Sequence, residues 1–239
     1  MTDLNRAIDT ELLGLGADIV GFGNLEELPG EARDGMPVGV SVAVVYPPEV
    51  IRGIAELPTQ LYCDWYDALN KRLDMIVTQG AQTLRAAGYR AIAQTREQVG
   101  NGEEGNQTTL PHKTVARLAG IGWIGKNALL ITRAYGSAVR LSTILTDAPL
   151  ATVTPGAATH CGSCRACADA CPAGALSGTP WTPGIERDKL VDPVRCRKVA
   201  RERARQGFGG VNITICGKCI EVCPHTRRYL YPKSISGQD

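Results

Sequence analysis

The chain has 239 residues, 44% hydrophobic and 21% charged, with a formal net charge of +2. That is the make-up of a soluble globular protein with one large domain or two modest ones. It holds no run of 18 apolar residues, which excludes a membrane-spanning helix. Its first residues, MTDLNRAIDTELLGLG, lack the basic start and long apolar run of a signal peptide, so a cytoplasmic location is expected.

Residues 1–15 read as a short amphipathic helix, and 17–22 as a strand. Residues 39–46, GVSVAVVY, form a stronger strand through their β-branched content, and Pro47-Pro48 ends it. After Pro58 a long helix runs to about Ala87, with Tyr62, Trp65, Tyr66, Leu69, Leu73, Ile76, Val77 and Leu84 mostly three or four apart. Gly88 stops it, and 89–93 read as a further strand. Residues 97–110, polar and glycine-rich, read as a loop, and Pro111 starts a helix that ends at Gly120. Residues 128–132 and 139–145, separated by the turn-like 134–137, read as a hairpin. Residues 154–156, Thr-Pro-Gly, are a linker candidate.

Beyond that linker lie eight of the nine cysteines. The first run is Cys161-x2-Cys164-x2-Cys167-x3-Cys171-Pro172, and the second is Cys216-x2-Cys219-x3-Cys223-Pro224 with Cys196 upstream. The first is the spacing of a bacterial two-cluster ferredoxin, proline included, in which three cysteines wrap one cluster and the fourth ligates the other. By that rule Cys161, Cys164, Cys167 and Cys223 bind one [4Fe–4S] cluster. Cys171, Cys216 and Cys219 bind the second and need a fourth ligand. Ile213 stands where a duplicated run would have it, so Cys196 takes its place. Zinc sites also use Cys-x2-Cys pairs, but they do not usually add a third cysteine at the same spacing followed by Cys-Pro. A disulfide framework does not suit a reducing compartment. Cys63, beside Asp64 in the long helix, reads as a packed thiol.

Residues 161–239 carry 13 Lys and Arg against 7 Asp and Glu, and residues 1–160 carry 13 against 17. Part of the basic excess balances anionic clusters. The run Arg195, Arg197, Lys198, Arg201, Arg203 and Arg205 reads as a solvated helix face, or as a docking face for an electron donor or for RNA phosphates. Residues 120–125 match GxGxxG without the strand before and helix after that a dinucleotide site requires. Gly125-Lys126 nearly completes a phosphate loop, but Asn127 replaces the Ser or Thr that would bind magnesium. These glycines then let backbone approach a flat ligand or a neighbouring segment, with Trp123 in the core. His160 and His225 adjoin the cysteine motifs. His112 stands at a helix start, as a cap or as an acid/base group in a cleft.

From the glycine motif onward the chain resembles the epoxyqueuosine reductase family, relatives of the reductive dehalogenases. The likeness lies in Ala119-Gly120-Ile121-Gly122-Trp123-Ile124-Gly125-Lys126, in Leu145-Thr146-Asp147-Ala148-Pro149-Leu150, in 161–172, in Val191-Asp192-Pro193-Val194-Arg195-Cys196 and in 216–224. It is weaker over 1–100, where Tyr62 and Tyr66 are its best echo. The resemblance implies an α+β protein: a nitroreductase-like α/β domain over 1–155 and a ferredoxin-like domain with two [4Fe–4S] clusters over 156–239. It implies a base-off cobalamin on the first domain, reduced through the clusters, with Gly122, Trp123, Gly125 and Lys126 as candidate cofactor-binding residues. Family members that act on tRNA place an acidic proton donor where counting back without gaps gives Asn106, and a neutral amide cannot donate as an acid does. Only residues 224–239 follow Cys223, so the resemblance is to a short form without the C-terminal helical part.

The expected function is that of an iron–sulfur oxidoreductase whose cobalamin reduces a small or protein-bound substrate other than the tRNA base. Its electrons would come from a ferredoxin- or flavodoxin-type donor. His112 and Asn106 are the candidate catalytic residues. The alternatives are an electron-transfer protein that reduces a partner such as a corrinoid protein, and a flavin-type reductase.

Overall fold

Thr2 opens the fold with a reciprocal cap. Its hydroxyl accepts from Asn5 N at 3.2 Å, and Asn5 Oδ1 accepts from Thr2 N at 3.3 Å. Helix α1 (Asp3–Gly14) follows. The buried Asn5 amide also donates to Ala151 O at 3.0 Å and accepts from Ala151 N at 2.8 Å, tying a distant loop to the start of the chain.

The computed structural model describes residues 2–99, 108–156 and 159–232. After α1 come β1 (Ile19–Asn24), β2 (Val38–Val45), α2 (Pro48–Arg52), α3 (Gln60–Ala86), β3 (Ala91–Ala93), α4 (Arg96–Val99), α5 (His112–Leu118), β4 (Gly122–Ile124), β5 (Leu130–Thr132) and β6 (Val139–Thr146). The cysteine-rich part holds α6 (Ala166–Asp169), α7 (Pro193–Phe208), α8 (Lys218–Glu221) and α9 (Pro224–Leu230). No helix among the described residues is long and apolar enough to cross a membrane. The chain divides into two compact units. One is Met1–Val45, Trp65–Ile124 and Val139–His160; the other is Tyr46–Asp64, Gly125–Ala138 and Cys161–Asp239.

The first unit is built on a four-stranded sheet in the order β1-β2-β6-β3, antiparallel at every pairing. Successive strand residues face opposite sides, and β6 shows what covers each. Ile144 faces α3 and α1: a Cβ added at Gly80 would stand 2.8 Å from Ile144 and 2.6 Å from Leu12. Leu145 faces α5, in a cluster with Leu25, Met36, Leu110, Val115 and Leu118. A sheet covered on both faces needs apolar residues on both, which explains the unbroken burial of β2 from Val38 to Val44.

Three local expectations change. The hairpin over 128–145 does not form: β6 pairs with β2 and β3. The turn residues are used within the 132–136 loop, where Thr132 and Gly136 exchange backbone hydrogen bonds of 2.8 and 3.1 Å. Pro47-Pro48 does more than end a strand, because Pro48 starts α2 at the position where a helix tolerates proline. The polar stretch after residue 96 begins as the short helix α4.

The two glycines of β1 set how close α5 can come. A Cβ at Gly23 would stand 2.8 Å from Ala119 N and 2.9 Å from Leu118 C, and both atoms are backbone. No rotamer change relieves that contact. Gly23→Ala should therefore cost about 1–3 kcal/mol, the usual range for overpacking. Gly30→Ala, with nothing within 4 Å, should stay within about 0.5 kcal/mol. Urea unfolding of the two variants checks this, and equal midpoints would contradict it.

Candidate functional site: two groups of four cysteines

The cysteine runs contain little regular structure. Helices α6 and α8, which carry Cys167 and Cys219, are four residues each. Tight turns shape the rest: Cys164 N donates to Cys161 O at 3.0 Å, and Gly174 N to Cys171 O at 2.9 Å. Cys196 arrives differently, on the 16-residue α7. Asp192 caps that helix by accepting from Arg195 N at 2.9 Å, and Pro193 occupies its first turn. Cys196 is four and eight residues before the buried Ala200 and Ala204, so it shares their stripe. Cys223 caps α9.

The thiols influence one another in two sets. Burial pushes Cys167 up to about 11, and Cys223, Cys161 and Cys164 push the same way. Burial raises Cys223 too, with Cys161 adding to it. The Thr226 and His225 amides and the Thr226 hydroxyl oppose the rise. In the other set, partial desolvation raises Cys196, although its residue surface is exposed, and Cys171 and Cys216 add to the shift. Burial, then Cys216 and Cys196, raise Cys219; Cys167 and Cys171 contribute after them. Cys171 Sγ accepts from Ala175 N at 3.4 Å. Cys161, Cys164 and Cys223 thus act on Cys167, and Cys171 and Cys216 on Cys196, while Cys219 responds to Cys167 as well as to Cys216, Cys196 and Cys171. As bare thiolates the members of each set repel one another. Cationic iron removes that repulsion and displaces the protons, so four sulfurs per set fit a cubane cluster. Among the described residues no three His, Cys, Asp or Glu converge on a single metal ion. A cubane asks for something else, four thiolates each on its own iron.

Two segments outside the cysteine runs brace them. Segment 125–138 does so through side chains the sequence reading placed otherwise. Lys126, 6% exposed, donates from Nζ to Gly162 O at 2.8 Å and to Cys164 O at 3.0 Å. The buried Asn127 donates to Ser137 Oγ at 3.0 Å and Cys219 O at 3.4 Å, and accepts from Leu129 N at 3.1 Å. Ser137 N donates in turn to Thr226 Oγ1 at 3.0 Å. Segment 46–64 holds the second run. Lys218 Nζ reaches Ala55 O at 2.7 Å and the buried Glu221 at 3.0 Å, and Tyr229 donates to Tyr46 O at 2.8 Å. Gly217, at φ +75°, lies so close to Ile54 that a Cβ would stand 2.2 Å from it.

The residues expected to meet a corrinoid are engaged with the chain itself. Gly122 and Trp123 lie in β4, and Trp123 is buried with its ring edge-on to His160 at 4.8 Å. A Cβ on Gly125 would stand 2.3 Å from Ile131, and Lys126 serves the first cysteine loop. Gly125 and Lys126 are therefore engaged within their own unit. Asn127, which ruled out a phosphate loop in the sequence, is a structural strut. A signal for both struts was present: Lys126 and Asn127 are polar residues inside the apolar stretch 119–132, where burial demands partners.

Asn106 lies outside the described residues. His112 is the first residue of α5, with Nδ1 3.0 Å from Thr143 Oγ1. Burial first, then Arg140, lower its pKa to about 4, with Asp74 opposing. Arg140 is fixed by Asn70 Oδ1 at 3.1 Å and lies 4.4 Å over the Tyr66 ring. His112 is therefore uncharged at neutral pH.

Residues 160–226 match the 4Fe-4S double cluster binding domain. The chain is 33% identical over 165 residues to the epoxyqueuosine reductase of Listeria monocytogenes, a match covering 69% of this chain and 39% of that protein. It is 31% identical over 172 residues to the epoxyqueuosine reductase of Pseudomonas aeruginosa, covering 69% and 42%. It thus spans about two fifths of the length of these curated relatives. Among solved structures, epoxyqueuosine reductase with an epoxyqueuosine-modified tRNA-Tyr stem loop superposes with a TM-score of 0.62 at 22% identity, over 96% of this chain and 68% of that one. A catabolic reductive dehalogenase in complex with 3-bromo-4-hydroxybenzoic acid gives 0.68 at 20% identity, over 93% and 32%. The chain is epoxyqueuosine reductase-like in sequence. It shares its mixed α and β fold with those enzymes and with the reductive dehalogenases.

The lowered pKa of His112 has a consequence for stability. Between pH 6.5 and about 4 the unfolded chain binds a proton at this residue and the folded chain does not. The stability is therefore present above 6.5 and lost on acidification, by on the order of 3 kcal/mol at most. His112→Gln should lose less stability than the parent between pH 7 and pH 5 in urea unfolding. Parallel losses would contradict the assignment.

Proposed function

We propose that the protein is an iron–sulfur oxidoreductase that carries electrons through two [4Fe–4S] clusters to a reducible acceptor. The observation behind this is the match of residues 160–226 to the 4Fe-4S double cluster binding domain, over a segment that carries all eight cysteines. In this reading Cys161, Cys164, Cys167 and Cys223 hold the first cluster, and Cys171, Cys196, Cys216 and Cys219 the second. The functional domains are 156–239 for the clusters and 1–155, in a nitroreductase-like arrangement, for acceptor and substrate. The protein acts in the cytoplasm.

The acceptor we favour is a cobalamin, on the strength of likeness to a reductive dehalogenase whose structure bears on B12-dependent dehalogenation. Bound, it would supply low-valent cobalt chemistry. Gly125 and Lys126 are already engaged with Ile131 and the first cysteine loop, which argues against those two as part of its site. His112, uncharged, can offer a substrate a hydrogen bond rather than a strong acid. The tRNA base is the less favoured substrate because Asn106 is neutral. A small or protein-bound substrate takes its place.

A second reading, electron transfer to a partner protein, has the surface of α7 in its favour. Arg195, Lys198 and Arg205 are exposed there, and Glu202 is the helix's only acidic residue. An acidic donor of ferredoxin or flavodoxin type suits that face.

Cys196→Ala separates these ligand sets from other pairings. It should keep the first cluster and lose or degrade the second, so iron per chain falls by roughly half. Unchanged iron would contradict the assignment. Added cobalamin should shift its corrinoid absorbance on the cluster-loaded parent, and an unshifted spectrum would remove cobalamin from the proposal.

A further inference from the structure

Lys126 is a buried cationic side chain that forms no ion pair among the described residues. Its Nζ donates to two backbone carbonyls, Gly162 O and Cys164 O. Two carbonyl dipoles take two of its three donors but do not neutralise its charge, and an uncompensated buried charge is costly. Lys218, between Cys216 and Cys219, differs: it is paired with Glu221 at 3.0 Å. The neighbouring strut on the second run, Asn127 on Cys219 O, is neutral.

The two carbonyls belong to the loop bearing Cys161 and Cys164. A cubane with four thiolates is a net anion and gains one further negative charge when it accepts an electron. We infer that Lys126 is a positioning residue for the first cluster, with two effects. Its hydrogen bonds hold the 161–164 loop in its ligating shape. Its charge, kept from water, favours the reduced state of the cluster held by Cys161, Cys164, Cys167 and Cys223, so that cluster is easier to reduce than it would be without it. The step is one electron from a low-potential one-electron donor to the cluster, lowering one iron's formal oxidation state; no bond breaks. The second cluster, braced by an amide, does not depend on Lys126. This inference rests on the proposed ligand sets.

The test is a potentiometric titration of the cluster-loaded full chain, with dithionite as reductant and electron paramagnetic resonance as readout. The parent, Lys126→Gln and Lys126→Arg are compared, and iron and sulfide are counted in each. Cys196→Ala identifies the first cluster's signal. Lys126→Gln should move the first cluster's midpoint to more negative potential and leave the second's in place, while Lys126→Arg stays near the parent. If Lys126→Gln instead loses the first cluster alone and Lys126→Arg keeps both, the positioning role is supported. Equal midpoints in the parent and Lys126→Gln, both holding two clusters, would overturn this inference alone. A parent that takes up no iron and sulfide would overturn the cluster reading and this inference with it.

Discussion

Four-residue helices cannot hold a shape by themselves. A single turn fixes several dihedral angles for very few hydrogen bonds, and isolated helices need about a dozen residues before they persist in water. Yet α6 and α8 carry cysteines whose positions must suit a cluster to a fraction of an ångström. The thiols also repel one another as thiolates. The required geometry has to come from outside the runs, and every brace described above answers that need. Lys126 and Asn127 hold one carbonyl group or another in each run, and Lys218 and Tyr229 anchor the second run to segment 46–64. Cys196 differs in standing on a capped 16-residue helix, four residues before the buried Ala200.

The first unit meets a different constraint, close approach. An antiparallel sheet buried on both faces, with α5 against the backbone of β1, leaves little room for side chains at the contact. Glycine at positions 21 and 23 is the consequence. The polar groups caught in this packing, such as Asn5 and His112, are satisfied by specific partners, and for His112 burial also fixes the charge state.

Much of this was readable in the residues. The cysteine spacing pointed to a double-cluster domain, and residues 160–226 match one. The α3 periodicity and the valine-rich β2 were plain because long periodic segments speak for themselves. The failures have physical causes. β6 was assigned to a hairpin because sequence neighbours usually pair, whereas its partners β2 and β3 are distant in sequence. Lys126 is a cofactor candidate through the family resemblance alone, and nothing in its own segment points to the cysteine loop. Only its partners, 36 and 38 residues later, reveal a strut. Burial lowers the pKa of His112, and a sequence does not display burial of a single helix-start residue.

The central claim is that eight cysteines hold two cubane clusters. It is tested most directly by iron and acid-labile sulfide analysis of the anaerobically prepared full chain, combined with Mössbauer spectroscopy. The account predicts about eight iron and about eight sulfide per chain, all in [4Fe–4S] form. Stoichiometric zinc with no sulfide, or a single cluster per chain, would contradict it.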